Sequence, residues 1–124
     1  MLKNGNLKVM PKVFVYGSLK KGFANHGILS NAKFIGKYVT EPSYTMYDLG
    51  AYPSITLDGD TSIHGEVYEV DDLYRLDVLE GCPDYYQRIE IKTKYGLAWV
   101  YYYEPKFAHG VIASGEWHVS SKSR

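Results

Sequence analysis

The run Val13-Phe14-Val15-Tyr16 passes directly into Gly17-Ser18, and the composition then turns polar through Lys20, Lys21 and Gly22. Four apolar or aromatic residues without polar alternation describe a strand buried on both faces, and the glycine closes it. The tip of such a strand leaves backbone N–H groups unpaired. Successive groups of that kind can bind an anion or a developing oxyanion. The plain alternative is an ordinary strand-to-loop turn whose glycine supplies a positive φ.

A chain of 124 residues is the size of one domain and buries a core without staples. Fourteen basic and fourteen acidic side chains balance, so nothing recruits nucleic acid or an anionic membrane by charge. Cys82 is the one cysteine, which rules out an intrachain disulfide or a cysteine-rich zinc site. This cysteine usage fits a reducing cytoplasm. No apolar segment is long enough to span a bilayer, and the first residues lack the apolar core of a signal peptide. Tyrosine is abundant, with thirteen in all, and clusters at Tyr85-Tyr86 and Tyr101-Tyr102-Tyr103. An apolar ring with a polar tip suits strands and pocket walls.

Residues 1–12 are polar and basic and read as a flexible arm, with residues 13–119 as the domain and 120–124 as a frayed end. Asn25 is placed to cap a short helical turn through Leu29. Strand composition follows at 34–39, 44–49 and 52–57, and Asp58-Gly59-Asp60 reads as a turn. A longer strand covers Ile63 to Val70. Asp71 or Asp72 then caps the one clear helix, which runs through Glu80 and stops at Gly81. Gln87 to Thr93 alternates as a half-buried strand and turns at Tyr95-Gly96 into Leu97–Tyr103. A long loop from Glu104 follows, with Trp117 as its anchor. About six or seven strands and one helix make a compact, mostly antiparallel β domain of the α+β class.

At about 100° per residue, Leu73 and Leu76 define the apolar stripe of that helix, and Glu80 falls between them. Its last turn therefore points a carboxylate inward, flanked by Leu79 and Asp77. Burial, the partial negative charge of a helix C-terminus and an ionised Asp77 would each raise the Glu80 pKa. A glutamate poised near neutrality suits general acid/base work. The competing reading is that Glu80 snorkels to water at the helix end.

Other candidates carry less. Lys20-Lys21 reads as a solvated pair, His26 as a surface or capping residue and His64 as structural. Cys82 reads as a packed thiol. No histidines have metal-site spacing, and neither a GxSxG elbow nor a phosphate-binding GxxxxGK[ST] loop is present.

Four blocks, taken together, resemble the gamma-glutamyl cyclotransferase-like family. They are Val13–Gly22 with Asn25-His26, Tyr52-Pro53-Ser54-Ile55, Gly65–Asp72, and Leu76–Arg88 with its Glu80-Gly81-Cys82-Pro83-Asp84-Tyr85-Tyr86-Gln87-Arg88 segment. They occur in the family's order and spacing over residues 13–103, and the gamma-glutamylamine cyclotransferase branch is the most similar.

The resemblance implies a small mixed β-barrel with one main helix and short flanking helical turns. It implies release of an amine from a gamma-glutamyl amide with formation of 5-oxoproline, without metal or cofactor. The family's catalytic glutamate falls on Glu80. Its substrate-binding loop falls on Tyr16, Gly17, Ser18 and Leu19, and a pocket tyrosine of the closest branch falls on Tyr86, whose hydroxyl could orient the substrate. The expected partner is a small gamma-glutamyl substrate, with no nucleic acid or membrane, and the expected state is a cytoplasmic monomer. Two other readings stand beside this one. One is a cyclotransferase for another gamma-glutamyl substrate, such as a gamma-glutamyl amino acid or a glutamyl-protected metabolite. The other is a non-catalytic binding or regulatory domain on the same fold.

Overall fold

The computed structural model describes residues 9–118. Its elements are β1 (Lys12–Val15), a 3-10 turn (His26–Leu29), β2 (Lys33–Val39), β3 (Tyr44–Asp48), β4 (Pro53–Thr61), β5 (His64–Glu69), α1 (Tyr74–Glu80), β6 (Gln87–Thr93), β7 (Gly96–Tyr102) and β8 (Gly110–Val111). A five-stranded sheet has the order β2-β5-β1-β7-β6, and a three-stranded sheet the order β4-β3-β8. The expected barrel is thus two sheets rather than one closed ladder. Tyr103 links them where its N–H donates to the Ile55 carbonyl at 3.1 Å.

β1 is the central strand of the larger sheet. It runs antiparallel to β5, with Val13 opposite Tyr68, and parallel to β7, with Val13 opposite Trp99. Successive strand side chains point to opposite faces. Val13 and Val15 accordingly join Tyr68, Leu76, Tyr86 and Tyr101 on one face. Phe14 and Tyr16 join Met46, Ile55, Val67 and Trp117 on the other. The helix covers the first face and the small sheet the second. A fully buried side chain of this size contributes about 1.5–3 kcal/mol, which fixes β1 more firmly than any local preference.

The helix stops where expected. Gly81 takes φ 66° and ψ 34°, and its N–H turns back to the Asp77 and Val78 carbonyls. That left-handed cap suits glycine, which has no Cβ to clash. At the other end the helix starts later than the sequence suggests, at Tyr74. The Asp72 carboxylate accepts from the Tyr74 N–H at 3.0 Å.

Several expectations are corrected by packing. Asp58-Gly59-Asp60 lies within β4, where the ladder with β3 jumps from Thr56–Thr45 to Thr61–Tyr44. The excursion between those pairs produced the turn composition. The long loop contains β8, a two-residue strand paired with β3. Lys12 belongs to β1 rather than to the arm, and the Pro11 carbonyl accepts from the Val70 N–H. β6 is an edge strand, so Ile89 is exposed despite the alternating pattern. Residues 1–8 of the arm and the end 120–124 lie outside the described residues. Trp117 is buried, as an anchor should be.

Candidate active site

The tip of β1 and the last turn of α1 face one another across a cavity of about 160 Å³. Tyr16, Gly17, Ser18 and Leu19 form one side, and Leu79 and Glu80 another. Tyr52, Pro53, Tyr85 and Tyr86 complete the wall, with Asn25 and Tyr101 behind. All six residues singled out in the sequence line this one space.

The loop side is built by the chain's reversal after β1. The Gly17 carbonyl accepts from the Lys20 N–H at 3.0 Å, and the Ser18 carbonyl from the Asn25 N–H at 2.8 Å. Among the described residues, the N–H groups of Gly17, Ser18 and Leu19 make no turn or loop bond to backbone. Asn25 does not cap the 3-10 turn with its side chain. Instead its Nδ2 donates to the Ser18 Oγ at 2.8 Å. The His26 Nδ1 lies 2.9 Å from the Leu19 carbonyl. These two residues brace the loop, a role that sequence reasoning missed because it depends on the reversal itself.

Gly17 is required for a different reason than a positive φ, which it does not adopt. A Cβ there would lie 2.7 Å from Cδ and 2.9 Å from Cγ of Pro53. The loop thus packs directly on the first residue of β4. Pro53 is in turn held by Tyr86, whose buried hydroxyl donates to the Pro53 carbonyl at 2.7 Å. The donor of that hydroxyl is therefore committed to backbone, and Tyr86 meets the cavity chiefly as a ring. Tyr16 is similarly engaged, donating to the Tyr101 carbonyl at 2.7 Å. Burial, then the nearby Tyr86 and Glu80, hold the Tyr16 phenol well above its ordinary pKa.

Glu80 is half-buried, and among the described residues nothing hydrogen-bonds to its carboxylate. Burial pushes its pKa up to about 7. Unpaired desolvation disfavours the charged form, and a carboxylate near neutrality can both take and return a proton. Of the three causes anticipated, burial alone carries this shift. Asp77 does not add to it, because its carboxylate accepts from Arg88 Nε at 2.8 Å, Arg88 Nη2 at 3.2 Å and the Tyr101 hydroxyl at 2.6 Å. Among the described residues, Glu80 is the one carboxylate on the cavity wall.

Among the described residues, no lysine, arginine or histidine lines the cavity. Lys20 is not the solvated residue its neighbour Lys21 is. It is buried on another part of the fold, where its Nζ donates to the Trp117 carbonyl at 3.1 Å. Cys82 is partly buried against the core, and burial raises its thiol pKa. Among the described residues no three His, Cys, Asp or Glu side chains converge as a metal site.

Comparison with known proteins gives this geometry a lineage. The family model described as gamma-glutamyl cyclotransferase, AIG2-like, matches residues 13–119. The chain belongs to that family. A Vibrio cholerae relative, whose gamma-glutamylcyclotransferase name is provisional, is 47% identical over 85% of this chain and 93% of its own length. The solution structure of protein YtfP from Escherichia coli is 38% identical, with a TM-score of 0.69 over 90% of this chain and 99% of that one. The crystal structure of an AIG2-like protein from Mus musculus is 28% identical, with a TM-score of 0.76 over 88% of each chain. Within this gamma-glutamyl cyclotransferase-like fold, Glu80 and the β1 tip are the elements facing one another.

Proposed function

We propose that this protein is a cyclotransferase that releases an amine from a gamma-glutamyl amide and forms 5-oxoproline. The observation that carries the reading is the opposition of an unpaired Glu80 carboxylate to the Gly17–Leu19 loop across one small cavity.

The chemistry is intramolecular. The substrate's α-nitrogen attacks its own δ-carbonyl, a C–N bond forms in a five-membered ring, and the amide C–N bond breaks. The α-ammonium gives up two protons during ring closure and keeps one as the lactam N–H, and the departing nitrogen takes both and leaves as an ammonium. No water is consumed. Ionised Glu80 accepts a proton from the amine and returns it to the leaving group. Such assistance is worth on the order of 10²–10⁴ in rate. Holding the substrate folded adds the larger share, since well-oriented intramolecular attack reaches effective molarities of about 10⁵ M or more. The loop N–H groups bind the α-carboxylate or the developing oxyanion.

Among the described residues no cation lines the cavity, which favours amines over amino acids as leaving groups. A gamma-glutamyl amino acid carries a second carboxylate, which would meet no cationic partner among the described residues of that wall. A panel of gamma-glutamyl amines and gamma-glutamyl amino acids, assayed for 5-oxoproline, tests this. Preferential turnover of the amino acids would reject the amine reading. Binding without turnover of any member would favour the non-catalytic domain instead.

A further inference from the structure

Tyr52, Tyr85 and Tyr86 line the cavity, and Tyr103 packs against the last two to make a cluster of four tyrosine rings. Tyr86 stands 5.2 Å from Tyr85, 5.5 Å from Tyr103 and 6.5 Å from Tyr52, centroid to centroid. Tyr85 and Tyr103 approach to 4.4 Å. The hydroxyls of Tyr52 and Tyr85 meet at 3.2 Å, joining the segment before β4 to the segment after α1. The two rim rings are 37% and 42% exposed. Large apolar rings left open to water around a cavity are a surface suited to a ligand. Their cost of ordering is low, because a tyrosine has only two side-chain torsions.

We infer that Tyr52 and Tyr85, backed by Tyr103, form the subsite for the leaving amine and select amines with an apolar body. This rests on the proposed cyclotransferase reading and names its substrate class. The cavity of about 160 Å³ has room for a glutamyl group and little more. The amine substituent then lies along Tyr52 and Tyr85, which line the cavity and meet through their hydroxyls, and among the described residues the one charged side chain on that lining is Glu80. An aryl or alkyl body stacks on that wall; an anionic one gains nothing from it.

The test compares two amides of the same glutamyl group: gamma-glutamylbenzylamine, which has an apolar body, and glutamine, whose leaving group is ammonia. Both kcat/KM and the dissociation constant are measured for wild type and Tyr85→Ala, with Tyr52→Ala as a second variant. The quantity read is the benzylamide-to-glutamine ratio, which cancels any loss common to both ligands. The expected result is a wild-type preference for the benzylamide that falls roughly three- to tenfold in Tyr85→Ala, mainly through KM and binding. An unchanged ratio in both variants overturns the subsite. If wild type binds both amides without turnover, the catalytic reading fails while the binding ratio still decides the subsite. Failure to bind either amide overturns both.

Discussion

The Asp77 carboxylate is gripped by the Arg88 guanidinium at 2.8 Å, one helical turn before Glu80. Residues three apart are neighbours on a helix surface, so this pair removes a like charge from beside the cavity carboxylate. In Arg88→Met, the Asp77 carboxylate loses this partner. The Glu80 pKa should then rise further, and ionisation, which the base role requires, should occur at higher pH. The acid limb of kcat/KM, expected near pH 7 from the Glu80 value, should move up by about one pH unit. Adding Asp77→Asn should bring it back. A pH–rate profile of the three variants checks this, and an unmoved limb would separate Asp77 from Glu80 electrostatically.

Glu80 also makes stability depend on pH. Its folded pKa of about 7 lies above the ordinary 4.5. The unfolded chain therefore gives up this proton first as pH rises. Stability is full below about pH 4.5 and declines through about pH 7. Glu80→Gln escapes the loss, so its Tm should exceed that of wild type increasingly over this window. The difference should reach about 1–3 kcal/mol at pH 8. Thermal melts at pH 5 and pH 8 measure it; a constant difference would place Glu80 in solvent.

Gly17 and Tyr86 act on the same proline from two sides. Gly17→Ala forces a methyl against the Pro53 ring, and Tyr86→Phe leaves the Pro53 carbonyl without its hydroxyl donor. Each should cost about 1–3 kcal/mol in stability. Each should also raise KM, because the loop rests on that ring. Since both disturb one contact, the double variant should cost less than the two singles added. A double-mutant cycle by denaturant unfolding checks the coupling, and strict additivity would mean that Pro53 does not connect them.

The elements most legible in the sequence were those whose own residues dictate them. Val13–Val15 is apolar on both faces because both faces are covered, and the spacing of Leu73, Leu76 and Glu80 puts the carboxylate on the inward side, where it lines the cavity. What stayed hidden depends on distant partners. Lys20 looks like any polar loop residue until the Trp117 carbonyl receives its ammonium. β8 is two residues long and exists only through its register with β3. Asp58-Gly59-Asp60 has the composition of a turn but lies inside β4, in the jump its ladder with β3 makes. Gly17 was legible as a needed glycine, yet its reason, the Pro53 ring, lies thirty-six residues away in sequence. The tyrosine wall gathers the loop before β4, the turn after α1 and the end of β7, so only the fold assembles it.

The central claim is that Glu80 moves the proton in an intramolecular ring closure. Its most direct measurement is 5-oxoproline release from a gamma-glutamyl amide by wild type and Glu80→Gln, with circular dichroism confirming that both are folded. Wild type should form 5-oxoproline with release of one amine per turnover, and Glu80→Gln should lose about 10²–10⁴ in kcat while still binding the amide. A folded Glu80→Gln protein that retains wild-type activity would contradict the account.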